Sequence, residues 1–202
     1  IIRYREDMLN LLLEFYGENI VKFKNQIEDA LVILSNMKLN AALSSILLKI
    51  VQLNCINPNL QLNNNTLLTL AIQANLNEVV EVLLQYEAID VNLPNLLDGD
   101  SPLIRAIQFN NDEVAKLLIQ HPKIDLNHKN NNGKTAFFIA ISKNKIEICT
   151  LIHEKDNFSP EENNLGFAFY VSNGEISRLL LSIESTDVNY VPFDSQEFIN
   201  IS

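Results

Sequence analysis

The sequence contains little glycine, little cysteine and no tryptophan. Among its 202 residues are 5 glycines and 2 cysteines. Cys55 and Cys149 lie far apart in apolar stretches of helical pattern, so they do not form the closely spaced framework of a disulfide-stapled secreted domain. We therefore expect two buried thiols in a reducing compartment, which predicts a cytoplasmic protein.

Basic residues are also scarce. Lys and Arg total 15 against 25 Asp and Glu, which gives a formal net charge of −10. Non-specific binding to nucleic acid or to an anionic membrane surface needs a basic face, so the charge argues against both. It favours a partner with a basic surface. No apolar run reaches the roughly 20 residues that a transmembrane helix needs, so we expect no membrane insertion.

A short pattern recurs at nearly constant spacing. Each copy has a hydroxyl residue, a mostly apolar run, a small residue and, four residues later, an asparagine. Ser101 follows Thr66 by 35 residues, and Thr135 follows Ser101 by 34. A period in this range is typical of stacked arrays of small helical units, which form one extended domain. The copies are Thr66 to Ala71 with Asn75, Ser101 to Ala106 with Asn110, and Thr135 to Ala140 with Asn144.

Each repeat predicts two helices and a closing loop. The hydroxyl residue is suited to begin the first helix, because its oxygen can accept from a free backbone N–H. Asparagine is suited to end it, because asparagine tolerates the left-handed conformation common at helix ends. Apolar residues at helical spacing then predict a second helix. The closing triplets are Asp90-Val91-Asn92, Asp125-Leu126-Asn127 and Asp187-Val188-Asn189, and we align Cys55-Ile56-Asn57 with the first of them.

Together these features resemble the ankyrin repeat. In that family a turn precedes Thr-Pro-Leu-His-x-Ala, glycine ends the first helix, and a Val-x-x-Leu-Leu helix leads to a closing Asp-Val-Asn. Ser101 to Ala106 gives the closest match, and the likeness covers about residues 57–192. The hydroxyl–histidine hydrogen bond of the family is absent here, since the histidine position holds Thr69, Ile104 and Phe138. The divergent, Asn-rich repeats resemble those of ankyrin proteins of intracellular bacteria and protists.

The resemblance implies an all-α fold, an ankyrin-type helical solenoid of helix–turn–helix repeats joined by short hairpin turns, with an atypical helical N-terminal cap. The expected segments are 1–34 as the cap or a separate interaction module, 35–58 as a divergent first helix pair, 59–192 as the ankyrin repeats, and 193–202 as a truncated further unit or tail. Within the repeats, the expected units are 62–95, 97–129, 131–163 and a degenerate 164–192.

No group of residues in the sequence indicates catalysis, a cofactor or a bound metal. His121, His128 and His153 lack metal-ligand spacing to cysteine or carboxylate, so we interpret them as surface or helix-end residues. The run Asp98-Gly99-Asp100 is similar to part of an acidic cation loop, but the rest of such a loop is missing. A polar hairpin turn explains it better, and we expect no enzyme in these residues.

The resemblance implies that a partner binds the concave face, which is built from the hairpin tips and the exposed positions of the first helices. Phe109 is the strongest candidate there, because it lies outside the apolar stripe of its helix and aromatic anchors dominate interface energies. Packing against the neighbouring unit is the alternative for Phe109. Of Leu96 and Leu97, we expect one to pack inward. The candidates are Asn63, Asn65, Gln73, Ala74, Leu97, Asp98, Asp100, Gln108, Phe109, Asn131, Asn132, Lys134, Ser142 and Lys143.

Such an array implies a protein–protein interaction scaffold that is monomeric and binds a partner protein, without nucleic acid, cofactor or catalysis. The similarity to bacterial effectors implies action on host proteins after delivery into a host-cell cytoplasm. A second hypothesis makes the array the substrate-recognition region of a larger enzyme whose catalytic domain lies outside these residues. The lack of an initial Met and of a complete last unit motivates this alternative.

Overall fold

The computed structural model describes residues 41–53, 56–159 and 178. Within these residues the chain forms seven α-helices and one two-stranded antiparallel sheet. The elements are α1 Ala41–Gln52, β1 Gln61–Leu62, β2 Asn65–Thr66, α2 Leu67–Gln73, α3 Asn77–Leu84, α4 Pro102–Gln108, α5 Asp112–Gln120, α6 Ala136–Ser142 and α7 Ile146–His153. The predictions for 1–34, for 35–40, for Cys55, for 193–202 and for most of 164–192 lie outside the described residues. None of the described helices is long and apolar enough to span a bilayer.

The hydroxyl residue of each repeat begins the first helix of its unit, as predicted. The side-chain oxygen of Thr66 accepts from the N–H of Thr69, and those of Ser101 and Thr135 accept from the N–H three residues on, over 3.1 to 3.3 Å. Pro102 occupies the first turn of α4, where its missing N–H leaves no bond unmade. These caps bond one otherwise free donor at the start of each short helix.

Thr69 restores part of the bonding that the missing histidine would supply. Its hydroxyl accepts from the N–H of Thr66 over 2.8 Å and donates to the carbonyl of Thr66 over 3.0 Å. The two side chains therefore close a reciprocal capping box at the start of α2. In the next two units the equivalent residues are apolar and make no such bonds. Ile104 is buried, and Phe138 is partly buried against the core.

Asparagine ends each first helix in the left-handed conformation, as predicted. Asn75, Asn110 and Asn144 all have φ of 57°. After α2, the N–H of Leu76 donates to the carbonyl of Ala71 over 2.9 Å, and the N–H of Asn75 donates to the carbonyl of Ile72 over 3.0 Å. This pair of bonds is the Schellman arrangement, in which a left-handed residue turns the chain out of the helix. The sequence uses asparagine at a position where glycine is more common.

The helices pack in two layers around one continuous core. The first helices α2, α4 and α6 contact one another in sequence, and so do the second helices α3, α5 and α7, with α1 packed against α3. Ala71, Ala106 and Ala140 are fully or almost fully buried where the layers approach closely. Leu and Ile fill the space around them, each such side chain contributing about 1.5 to 3 kcal/mol on burial. The core runs from Leu47 to Ile152 without a gap between units.

Closing-loop asparagines tie each unit to the next. The side chain of Asn92 accepts from the N–H of Asp125 over 2.8 Å and donates to the carbonyl of Lys123 over 2.7 Å. Asn127 makes the same pair of bonds to Ser159 and Asn157. Because both atoms of the amide bond to backbone groups of the next unit, the closing loops keep a constant spacing.

The first closing loop starts two residues later than our alignment predicts. Asn59, not Asn57, bonds to the next loop, through the N–H of Asp90 and the carbonyl of Ala88, both over 2.8 Å. Asn57 instead accepts from the N–H of Asn59 over 3.0 Å, which is the role of Asp90 in its own loop. The alignment of Asn57 with Asn92 is therefore wrong, because a constant period does not allow for a unit that is two residues shorter.

Candidate functional site

The tips of three hairpins lie side by side along one edge of the stack. The N–H of Leu96 donates to the carbonyl of Asn64 over 2.8 Å, and the N–H of Asn131 donates to the carbonyl of Asp98 over 2.9 Å. These backbone bonds fix each tip against the one before it. The tips, together with the exposed positions of α2, α4 and α6, form the surface that the resemblance identifies as the concave face.

The second hairpin is one residue longer than the third. In the second, the N–H of Asn95 donates to the carbonyl of Asp100 over 3.0 Å. In the third, the N–H of Asn130 donates to the carbonyl of Lys134, also over 3.0 Å. The closing bonds are thus equivalent, and the loop between them is one residue longer in the second hairpin. The extra residue falls in the tip.

Both leucines of the longer tip are exposed. Leu96 is 60% exposed and Leu97 is 70% exposed. The expectation that one of them packs inward is wrong, because Asn95 occupies the inward position. Asn95 is 2% exposed, and its side-chain oxygen accepts from the N–H of Asp98 over 3.0 Å. The tip therefore presents two adjacent apolar side chains to solvent.

Arg105 joins the second hairpin to helix α4. Its Nη2 lies 2.6 Å from Oδ2 of Asp98, and its Nε lies 3.5 Å from Oδ2 of Asp100. Its guanidinium carbon lies 5.9 Å from the ring centre of Phe109, within the range of a cation–π contact. Arg105 therefore contacts both the residue after Leu97 and the ring of Phe109, which places the two apolar side chains in one region of the concave face.

Asp100 lies inside the turn. Its side chain is 1% exposed, and Nδ2 of Asn130 donates to its Oδ1 over 2.7 Å from the next hairpin. Burial raises the pKa of the Asp100 carboxyl above its usual value, although the hydrogen bond from Asn130 opposes the rise. A buried carboxylate that is already bound has no surface to offer, so Asp100 has a structural role and we leave it out of the proposed contact surface.

Phe109 is the C-cap residue of α4 and is 47% exposed. Its neighbour Ile107 is fully buried, so the core passes beneath Phe109 and does not include it. The ring lies beside the guanidinium of Arg105 from the same helix. The sequence allows two interpretations of Phe109, a surface role or packing against the neighbouring unit. The exposure of its side chain favours the surface role.

At the position equivalent to Phe109, the C-cap of the first helix, the other two units carry the small Ala74 and the charged Lys143. In the first, Nε2 of Gln73 donates to Oδ1 of Asn65 over 3.1 Å. In the third, Nζ of Lys134 lies 5.5 Å from the ring centre of Phe138, and Lys143 is exposed. The remaining candidates are exposed or partly exposed, namely Asn63, Ala74, Gln108, Asn131, Asn132 and Ser142. The second unit therefore supplies the apolar part of the concave face.

Two residues of this surface were missed at the level of sequence. From the sequence, Arg105 is identified only as a residue of the helix motif, although it pairs with Asp98 and lies over the ring of Phe109. Leu96 was excluded by the assumption that a Leu-Leu pair divides between core and surface. The signal that could have identified the tip is its length, since Ser101 follows Asn95 by six residues and Thr135 follows Asn130 by five.

The histidines and the buried cysteine do not form a reactive group. Nε2 of His128 lies 2.7 Å from the carbonyl oxygen of Gly99, and Nδ1 of His121 accepts from the N–H of Lys123. Burial raises the pKa of the Cys149 thiol to about 12, so the thiol is neutral. Across residues 41–53 and 56–159, no three His, Cys, Asp or Glu side chains come together as a metal site would require.

Comparison with protein families identifies the repeats. A family model described as ankyrin repeats (3 copies) matches residues 31–130 and again residues 88–164. Together these matches cover more than half of the 202 residues. A comparison with curated proteins found no match. The two-layer stack of helices, the capped first helices and the closing-loop asparagines agree with that family's fold, and the predicted all-α solenoid is confirmed. The chain belongs to the ankyrin-repeat family.

Proposed function

We propose that the chain binds a partner protein through its concave face, with Leu97 and Phe109 as the apolar anchors. Ankyrin repeats generally mediate protein–protein interaction. The observation that carries the finer proposal is the exposure of both anchors, 70% and 47%, since among the described residues only Leu53 and Leu96 are other large apolar side chains that are exposed. Adjacent exposed apolar side chains that a neighbouring residue holds in place are typical of interaction sites.

The backbone of the tip and the ring of Phe109 are held before a partner arrives. Leu97 lies in a tip that backbone bonds hold on both sides, through Leu96 to Asn64 and through Asp98 to Asn131. The ring of Phe109 lies beside the guanidinium of Arg105, which is itself bound to Asp98. A side chain that is already ordered loses less conformational entropy on binding. This arrangement supports contact between the second unit and a folded or extended partner.

Quantitative crosslinking in a lysate tests the proposal. The wild-type chain is compared with the double variant Leu97→Ala/Phe109→Ala, and captured proteins are quantified by mass spectrometry. Loss of an anchor costs about 2 kcal/mol, or roughly thirtyfold in affinity. We therefore expect the signal of a specific partner to fall at least that far in the double variant.

Leu53→Ala is the matched control. Leu53 is also an exposed apolar residue, at 41%, but it follows α1, which packs against the second-helix layer. Capture should be unchanged in this variant. If the double variant captured the same proteins at the same yield as the wild type, binding would have to use another surface.

The setting of the interaction is part of the same proposal. The similarity to effector proteins favours a chain that acts in the cytoplasm of a host cell, as a monomer. An enzymatic reporter fused to the chain and expressed in an intracellular bacterium measures delivery directly. Reporter signal confined to the bacterium would contradict the effector role and leave the binding proposal intact.

A further inference from the structure

The two layers of the stack differ in charge. Among the described residues, the second helices and closing loops, residues 76–94, 111–128 and 145–159, carry most of the acidic side chains. In the first of these stretches every charged residue is acidic, namely Glu78, Glu81, Glu87 and Asp90. The hairpins and first helices of the same units carry Asp98, Asp100, Arg105, Lys129, Lys134 and Lys143. The net charge of −10 therefore does not describe the concave face.

In the described hairpins of the concave face, the acidic side chains are already paired or buried. Asp98 pairs with Arg105 over 2.6 Å, and Asp100 is 1% exposed. The cations of the third unit are more accessible. Lys143 is exposed beyond the end of α6, and Lys134 is partly exposed over the ring of Phe138. A partner on this surface therefore meets positive charge next to the apolar anchors.

The anchors and the cations lie at a defined separation. Phe109 and Lys143 are equivalent residues, since each is the C-cap of its first helix and each precedes a left-handed asparagine. The helices α4 and α6 are in contact, and packed helices have axes about 8 to 10 Å apart. An extended chain advances about 3.3 Å per residue, so this separation corresponds to about three residues of bound peptide.

We propose that the partner presents an extended segment in which an acidic side chain lies about three residues from a bulky apolar one. The apolar side chain contacts Leu97 and Phe109, and the carboxylate meets Lys143 with Lys134 nearby. This inference rests on the proposed function and adds the chemistry of the partner. It opposes the expectation from net charge, which favours a basic partner.

The overall acidity of the chain does not prevent this recognition. At physiological ionic strength charges are screened over about 8 Å, so the acidic second helices act weakly across the stack. A carboxylate close to Lys143 experiences mainly the local cation. Binding should therefore weaken as salt increases, because the attraction is electrostatic and lies at the surface.

A panel of short fluorescein-labelled peptides tests the proposal on the full chain. Each peptide carries one Phe and one Asp in a Gly/Ser background, with the Asp placed from one to about six residues from the Phe. Parallel series carry Asn or Lys in place of Asp. Fluorescence anisotropy gives the Kd of each peptide for the wild-type chain and for the variants Lys143→Glu, Phe109→Ala and Lys155→Glu.

We expect the peptide with Asp about three residues from Phe to bind about tenfold more tightly than its Asn counterpart. Lys143→Glu should abolish this preference or reverse it toward Lys. Phe109→Ala should weaken all peptides while keeping the preference for Asp. Lys155→Glu places the same charge change after α7, away from the concave face, and should leave the preference unchanged.

Two results would overturn the inference. One is a preference for Asp that survives Lys143→Glu, and the other is no preference for Asp at any offset. If peptides bound in a Phe109-dependent way without regard to charge, the proposed function would stand and this inference would fail. Binding of no peptide would also refute the extended segment, while the crosslinking experiment would still decide whether the concave face binds a protein.

Discussion

The two edges of the stack differ in how uniform their side chains and contacts are from unit to unit. At the closing-loop edge, Asn59, Asn92 and Asn127 repeat the same two hydrogen bonds from unit to unit. At the hairpin edge, the backbone bonds repeat, but the tips differ in length and in side chains. Uniform contacts hold the array together, and variable positions on a fixed frame remain for recognition. Likeness between units therefore indicates structure, and difference between them indicates function.

The buried network around Asp100 lies at the hairpin edge, yet we expect it to stabilise the fold. Asp100→Ala removes the carboxylate that accepts from Nδ2 of Asn130 and that lies beside Nε of Arg105. The buried Asn130 and the partly buried Arg105 then lack this partner. We expect a loss of about 3 kcal/mol in the free energy of unfolding, measured by urea denaturation with helical circular dichroism. A loss close to zero would mean that the hairpin edge contributes recognition alone.

Asp100→Asn is the control for charge at the same site. It keeps an oxygen for Asn130 and removes the carboxylate. Because burial raises the folded-state pKa of Asp100, the stabilising contribution is complete below the unfolded value of 3.8 and is lost as the pH rises through the folded-state pKa. The stability of Asp100→Asn relative to wild type should therefore be most favourable near neutral pH, decrease as the pH falls through the folded-state pKa of Asp100, and level off below pH 3.8. A difference that is constant with pH would contradict this reasoning.

Asn92→Ala tests the closing-loop edge. It removes two hydrogen bonds to the next unit, of 2.8 and 2.7 Å, and should cost about 2 kcal/mol. Asn131→Ala is the matched change at the hairpin edge, where the side chain reaches only the carbonyl of Leu97 over 3.4 Å. That variant should cost about 0.5 kcal/mol or less. Equal losses in denaturant unfolding would remove the distinction between the two edges.

A pair of glycines measures the contact between the second and third hairpins. Gly99 and Gly133 both have φ of 70°, so alanine costs each about 1 kcal/mol in backbone strain. A Cβ at Gly99 would lie 2.4 Å from Oδ1 of Asn131, whereas a Cβ at Gly133 would meet nothing within 4 Å. We expect Gly99→Ala to lose about 1 kcal/mol more than Gly133→Ala in thermal or urea unfolding. An equal loss of unfolding free energy in both variants would show that the second and third hairpin tips are not in close contact at Gly99.

Local chemistry made much of the fold predictable. Thr66, Ser101 and Thr135 act as helix caps, and Asn75 and its equivalents are left-handed, because each role depends on the residue itself and its nearest neighbours. The family likeness then supplied the stacking of the units. None of this required knowledge of how distant residues meet.

The parts that the sequence could not supply depend on contacts between units. Asp100 is buried because Asn130, thirty residues later, reaches back to it. The bonding role of Asn59 follows from the position of the Asp90 loop, and a fixed period assigned that role to Asn57. The grouping of Leu97 with Phe109 depends on Arg105, which contacts both Asp98 and the ring of Phe109. Residue spacing in the sequence does not predict these two contacts.

The hydrogen bonds between units also give the array a direction. At the closing-loop edge Asn92 extends its side chain forward to the backbone of the next unit, while Lys123 and Asn157 extend backward to carbonyls of the unit before. At the opposite edge and between the helices, Asn130 extends backward to Asp100 and Lys145 to Asp112. The side chains that an interface takes from its earlier unit therefore differ from those that it takes from its later unit. The leading and trailing ends of such an array are chemically different surfaces, so a unit that covers one end cannot serve at the other.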